Sequence, residues 1–328
     1  MLEIFGPVPS RRLGHSLGIN NIPPKHCSYS CIYCQLGSAL HMSVQTETFF
    51  PPKNLADAVE RKLEEVNDSG ATVDYLTIVP DGEPTLDRNL GELIMLLKRF
   101  PVPVAIISNG TLVVQDDVHD ALLLADWVSL KVDAITEKVW RTVDRPHKML
   151  DHGKILSGLE RFSKDFKKKP DKKLVTETML VENVNTAEDE LRLLSTFVGE
   201  LRPDCAYLSI PTRPPAVSTV LPATESSLTK AYALYGRQVD RVECLIGYEG
   251  NAFRNSGNSR EDLLSITAVH PMREDAVEEL LERNGSEFNI VRQLVDEHLI
   301  AISEYGKERF YMRVFPRLHG RFGGSGCP

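Results

Sequence analysis

The residues best suited to chemistry lie in one short run, Lys25-His-Cys-Ser-Tyr-Ser-Cys-Ile-Tyr-Cys-Gln-Leu-Gly37. It spaces Cys27, Cys31 and Cys34 as C-x3-C-x2-C. Three thiolates are one short of the four that close a cubane iron–sulfur cluster, so one iron corner would stay open for an outside ligand. A catalytic zinc site keeps an open position for the same reason. A structural zinc site with its fourth ligand elsewhere is the other reading of this spacing. His26 is the nearest imidazole, but it adjoins Cys27 and is poorly placed to reach the same metal. The flanks put the run on a loop. Ser16 to Asn20 reads as a strand, and Pro23-Pro24 then forces an extended, non-helical backbone.

The elements that must position this loop follow in a regular rhythm. Strands are predicted at 16–20, 73–79, 102–107, 126–132, 173–181 and 206–210. Helices are predicted at 54–67, 87–99, 116–123, 150–163, 187–200 and 223–237, with a further strand at 242–247. Alternation of this kind builds βα units around a parallel sheet. Asn54 reads as the N-cap of the first helix, and Glu188, Asp189 and Glu190 place acids in the first turn of the sixth. Six units fall short of the eight of a closed TIM barrel, whose chemistry sits at the C-terminal strand ends.

That rule sorts the other candidates. Gly82 and Glu83 follow the second strand. Ser108-Asn109-Gly110 closes the third, and reads equally as a plain turn. In the fourth, Val128, Leu130 and Val132 alternate with Ser129, Lys131 and Asp133. The apolar three suit an outer face packed on helices, so the polar three line the lumen. A lysine and an aspartate there need a ligand or each other, a structural ion pair being the second case. Glu177 on the fifth strand fits either a buried acid facing a substrate or an edge residue in water. Arg213, in Thr212-Arg-Pro-Pro215 after the sixth, is stiffened by prolines and suits a bidentate anion contact or a structural one. Arg11 and Arg12 suit a phosphate or carboxylate contact or, more commonly, a solvated surface, and the basic run 161–173 reads as a solvated loop.

Composition narrows the class. Hydrophobic residues make up 42% and charged residues 26%, as in a soluble globular protein. No apolar run reaches membrane-spanning length and the N-terminus lacks a signal peptide, so a reducing, cytoplasmic setting with no membrane contact is expected. A net charge of −8 argues against bulk duplex nucleic acid as the main partner. Cys205, Cys244 and Cys327 are too widely spaced for a ligand pattern and read as free thiols rather than a second cluster.

The C-x3-C-x2-C motif, with the aromatic Tyr33 just before its last cysteine, resembles the signature of the radical S-adenosylmethionine (radical SAM) enzymes. Gly82-Glu83-Pro84 is similar to their G-E-P element. The resemblance covers roughly residues 1–250 and implies a fold, two cofactors and a reaction. The fold is an open, partial (β/α)6 TIM barrel. Cys27, Cys31 and Cys34 would hold a [4Fe–4S] cluster whose fourth iron binds the amino and carboxylate groups of SAM. An external electron donor such as ferredoxin or flavodoxin would drive SAM cleavage, and the resulting 5′-deoxyadenosyl radical would abstract a hydrogen from a substrate. Gly82 and Glu83 would contact the SAM amino group and Lys131 its carboxylate, with Tyr33, Asn109, Asp133 and Arg213 completing the cofactor end. The longer string Gly6-Pro-Val-Pro-Ser-Arg-Arg-Leu-Gly-His-Ser-Leu-Gly-Ile19 resembles a radical SAM family akin to the wyosine-type tRNA-modifying synthases. Those carry three further cysteines upstream, and this chain has none before Cys27. The substrate therefore stays open among a tRNA nucleoside, a peptide and a small metabolite.

Past residue 254 the pattern changes. A linker at 255–259 leads to helices from 260, at 273–283 and at 287–299, then a hairpin over 300–314 turning near Gly306. This order is similar to a winged helix-turn-helix. The expected division is a core at 1–254, a winged-helix domain at 255–316 and a Gly-rich flexible tail at 317–328. The third helix carries Glu287, Arg292, Asp296 and Glu297, a net negative set ill suited to phosphate contact. A redox-sensing iron–sulfur regulator that binds nucleic acid is the competing function, and it needs neither Glu83 nor SAM.

Overall fold

The structure, a computed structural model, describes residues 3–246, 257–269, 271–306 and 308–314. Its main sheet has eight strands in sequential order: β1 (Ile4–Ser10), β2 (Gly14–Ile19), β3 (Tyr75–Ile78), β4 (Val104–Ser108), β5 (Trp127–Lys131), β6 (Lys173–Met179), β7 (Cys205–Ser209) and β8 (Val242–Leu245). β1 pairs with β2 antiparallel, and every later neighbour pair is parallel. Parallel neighbours joined in sequence by right-handed crossovers carry their helices on one face. The sheet therefore curls with its helices outside and its other face around a lumen. Its edges β1 and β8 are not paired to each other, so the barrel is open.

The helices are α1 (Pro52–Asp68), α2 (Leu90–Leu97), α3 (Asp116–Leu122), α4 (Glu137–Val143), α5 (His152–Phe166), α6 (Glu188–Leu201) and α7 (Glu225–Tyr235). Asn54 is not the cap of α1. The helix begins at Pro52 with Pro51 as N-cap, because proline's fixed φ suits the first turn. The predicted strands and helices all appear within a few residues. Among the elements longer than three residues, α4, only two turns long, and β1 lay outside the prediction. Pro7 and Pro9 disguise β1, but an edge strand tolerates prolines, and β1 shifts register between Phe5 and Val8. Nor is the basic run 161–173 simply solvated. Lys169 and Lys172 donate to the carbonyl oxygens of Leu123 and Leu124 past the end of α3, at 2.6–3.2 Å.

Two cores hold the barrel. The outer one lies between sheet and helices and includes Leu55, Val59, Leu93, Ile106, Val128, Leu130, Phe162 and Leu194. The inner one plugs the lumen floor with Leu13, Ala105, Trp127, Val175, Cys205, Tyr207 and Leu245. Leu13 belongs to the turn between β1 and β2, so that hairpin reaches across the open side to β7 and β8. Cys205 lies in this plug while Cys244 packs against the outer core, so the two thiols face opposite sides of the sheet. Cys327 lies outside the described residues, as do the start of the linker and the tail 317–328.

A C-terminal unit follows: α8 (Ser259–Val269), β9 (Met272–Arg273), α9 (Glu274–Arg283), α10 (Asn289–Asp296), β10 (Ile300–Tyr305) and β11 (Glu308–Arg313). Its strands form an antiparallel sheet in the order β9-β11-β10, with the tight turn at Gly306 in the left-handed region. Its core joins Leu263, Val277, Leu281, Leu294 and Tyr311 to Phe5 and Val8 of β1. The Phe5 ring lies where a Cβ at position 18 would be, so Gly18 is what lets it reach inward. Phe5 is 3% exposed. Phe5→Ala should therefore cost about 3–5 kcal/mol and loosen the C-terminal unit, read as a lower urea midpoint and faster tryptic cleavage at Arg283 and Arg292 than at sites in α5.

Candidate active site

The cysteine loop is stitched to its neighbours by backbone bonds. Cys34 N–H donates to the Cys31 carbonyl at 3.1 Å and Gly37 N–H to that of Cys34 at 3.0 Å. From the end of α4, the Val143 carbonyl accepts from Ile32 N–H at 2.9 Å and that of Asp144 from Ser30 N–H at 3.0 Å. The Cys31 thiol donates to Asp144 Oδ1 at 3.4 Å. Tyr29 is fixed from the same helix: Trp140 Nε1 donates to its hydroxyl at 2.6 Å, and the Trp140 ring stacks on His152 at 4.5 Å. So α4, which periodicity missed, is the floor of the loop.

Glu83 ties the next two strand ends to it. Its carboxylate is buried and accepts four hydrogen bonds: from Thr85 N–H at 3.1 Å, Thr85 Oγ1 at 2.5 Å, Ser108 Oγ at 2.7 Å and Asn109 N–H at 2.8 Å. Its own N–H donates to the His26 carbonyl at 2.9 Å. A Cβ on Gly82 would overlap that carbonyl, so only glycine lets the two loops approach. Asn109 closes the ring. Its Nδ2 donates to Ser28 Oγ at 2.8 Å and lies 3.7 Å from Cys27 Sγ. Gly82, Glu83 and Asn109 thus form a brace behind the cysteines.

Burial pushes all three thiols up. Glu83 adds to this at Cys27 and Asp144 at Cys31, while Lys131 partly offsets it at Cys34. Bound metal would supply the positive charge that three thiolates need here, as it does in thiolate sites generally. Among the described residues no three His, Cys, Asp or Glu side chains converge as ligands of a single ion must. A cubane offers each thiolate its own iron corner, and N–H groups aimed at Cys27 sulfur from Tyr29 at 3.5 Å and Asn109 suit a cluster ligand. The residues present fit such a group.

Beside this loop opens a cavity of about 340 Å³. Tyr33, Cys34, Gln35 and Leu36 line it, as do Pro9 to Leu13 of the β1–β2 turn. Lys131, Glu177, Ser209 and Arg213 belong to the same wall. Lys131 Nζ lies 3.3 Å from Glu177 Oε1 and 4.9 Å from the Tyr33 ring centre. Arg12 Nη1 pairs with Glu177 Oε2, and Ser209 Oγ donates to Oε1 at 3.2 Å. Arg12 is therefore not a solvated surface residue, and Glu177 faces the lumen. The first of the two readings of Glu177 thus holds, but its pairing with Arg12 was not legible: Arg12 precedes its strand in an ordinary turn, and only the closure of the hairpin across the open side brings it to β6. Arg213 Nη1 donates to Gln35 Oε1 at 2.8 Å, linking the loop after β7 to the cysteine loop. Asp133 does not line the cavity. It lies behind Tyr33, accepting from the Tyr33 hydroxyl and, at 2.7 Å, from Met179 N–H. Asp144 was also missed, for lack of any motif around it.

Burial alone would push the Glu177 carboxyl up, but the Arg12 guanidinium and Lys131 ammonium outweigh it and hold it down at about 2. Burial likewise opposes the Lys131 charge, yet Glu177 and Asp133 keep it above the ordinary lysine value.

Comparison with known proteins agrees with this geometry. Residues 21–194 match the Radical SAM superfamily. A UPF0026 protein of Methanocaldococcus jannaschii is 41% identical over 315 residues, 95% of this chain and 96% of that one. A UPF0026 protein of Helicobacter pylori is 31% identical over 319 residues, 94% and 96% of the two chains. Among solved structures, SuiB of Streptococcus suis bound to S-adenosylmethionine aligns with a TM-score of 0.51 at 14% identity, over 70% of this chain and 51% of that one. A radical SAM methyltransferase from Sphaerobacter thermophilus aligns at 0.51 and 12% identity, over 70% and 66%. These two share the fold, the partial barrel of radical SAM enzymes. No helix among the described residues is long and apolar enough to cross a membrane.

Two outcomes follow. Glu83→Gln turns an amide N–H toward a donor, leaving one buried group unpaired at about 1–3 kcal/mol; iron content after anaerobic reconstitution should fall with the urea midpoint. For Glu177, the folded pKa lies below the unfolded value of about 4.3. Its contribution is complete above that value and is lost as pH falls toward about 2, amounting to about 3 kcal/mol. Urea titrations should find Glu177→Gln well below wild type at pH 6, with the gap narrowing by pH 3.

Proposed function

The chain belongs to the radical SAM superfamily and is a UPF0026 protein, and from that premise we propose that Cys27, Cys31 and Cys34 hold a [4Fe–4S] cluster with one iron corner left for SAM. The observation that carries this reading is the loop itself: three thiols at C-x3-C-x2-C spacing, braced from behind, with Cys34 on the cavity wall. When bound, the cluster supplies the electron that cleaves SAM to a 5′-deoxyadenosyl radical, which takes a hydrogen atom from substrate. The chain's own residues do the rest. Glu83 and Gly82 hold the cysteine loop in register with β3 and β4. Asn109 donates toward Cys27 sulfur, a contact of the kind that tunes cluster potential. Phe5, Leu13, Ile107, Met179 and Leu245 give the cavity apolar walls that exclude water from a reactive intermediate.

Lys131 is proposed to share its charge between Glu177 and the SAM carboxylate, with Tyr33 and Arg213 shaping the same end. Reduction is assigned to a ferredoxin- or flavodoxin-type donor in the cytoplasm. The C-terminal unit reads as a winged helix that presents or walls in substrate, supported by its hold on Phe5 and Val8, which also line the cavity, and by the Tyr305 hydroxyl donating to the Pro211 carbonyl at 3.3 Å. The regulator alternative has no use for SAM.

Anaerobically reconstituted protein given dithionite and SAM should release 5′-deoxyadenosine. Cys31→Ala should hold no cubane, because two thiolates cannot. A brown, cluster-bearing wild type that leaves SAM intact would sink the reading, as would full iron content in the variant.

A further inference from the structure

We propose that Arg12 is the seat for a carboxylate or phosphate of a small substrate in the cavity beside the cysteine loop. This rests on the enzyme reading above and names the class of molecule it would take. The chain carries a net charge of −8, yet on this wall two cations, Arg12 and Lys131, share one carboxylate, Glu177. The other acid among the described residues of the wall, Asp81, is pushed up to about 7 by burial, which removes part of its charge near neutral pH. Asp133 is taken up with Tyr33 and Met179. The Arg12–Glu177–Lys131 group thus carries net positive charge in a half-enclosed space, where an anion gains more than it would in water.

The geometry singles out Arg12. A guanidinium has five N–H donors in a planar fork, and among the described residues one of them is spent on Glu177. Its side chain keeps 17% of its surface exposed, on the cavity. Glu177 fixes the fork from one side, and Leu13, the next residue, is locked into the floor plug with Trp127 and Tyr207. A donor set held in this way is pre-organised for two oxygens of one anion. Phe5, Ile107 and Leu245 surround the remaining space, so the body of the ligand is apolar or unsaturated. A cavity of about 340 Å³ suits a small molecule.

Calorimetry on the reconstituted enzyme tests this, with SAM saturating so that its own carboxylate is not the anion detected. Inorganic phosphate and acetate are the two probes, and their ratio separates a phosphate seat from a carboxylate seat. One of them should bind wild type. Arg12→Gln should weaken it at least tenfold, and Arg12→Lys, which keeps the charge and the Glu177 pair but not the fork, should fall between. Circular dichroism and cluster absorbance check that the variants fold; if Arg12→Gln does not, the wild-type-to-Lys difference decides. Binding of neither anion, or equal binding by all three proteins, overturns the proposal. The same titration on metal-free chain reads the seat by itself. A protein that cleaves SAM but ignores both anions therefore loses only the seat, whereas one that binds an anion but never cleaves SAM loses only the enzyme reading.

Discussion

The buried carboxylate of Glu83 is the interaction on which the rest depends. An ionised acid far from water is costly unless its lone pairs are filled. Here four donors partner it, drawn from the turn after β3 and the end of β4. Through the Glu83 N–H and the bare Cα of Gly82, the same residue pins the cysteine loop at His26. Three strand ends that are far apart in sequence are thereby held as one surface. The G-E-P element thus acts as masonry: three donors hold Oε1 and one holds Oε2, and together they tie the two turns to each other.

The lumen obeys a second constraint. The outer faces of the strands pack on helices and are largely apolar, so most strand polar side chains turn inward. Ser16 and Thr77 satisfy each other at 2.6 Å. Lys131, Glu177 and Arg12 make a buried ionic group instead. Such groups add little net stability compared with apolar packing, but breaking one is expensive. Their presence in the cavity beside the thiols marks a surface shaped for charged ligands rather than for stability alone.

Much of this was legible in the residues. The C-x3-C-x2-C loop, the βα rhythm and the alternation of Trp127 to Asp133 each follow from local spacing, and local spacing survives folding. The C-terminal helices and the turn at Gly306 were legible for the same reason. What escaped was long-range. β1 hid behind its two prolines, because edge-strand tolerance depends on which strand ends up at the edge. Two-turn α4 is too short for periodicity to register. Arg12 and Glu177 lie 165 residues apart, and nothing local couples them. Lys169 and Lys172 looked like solvent-facing charge because the carbonyls they cap belong to another helix.

Phe5 touches two interiors at once, the cavity and the core of the C-terminal unit. A side chain shared in this way makes the two regions thermodynamically reciprocal. Whatever fills the cavity and steadies that ring raises the free energy needed to detach the distal helices. By linkage, whatever loosens those helices lowers affinity in the barrel by the same factor. Occupancy in one place is thus reported in the other without any hinge or moving lid between them.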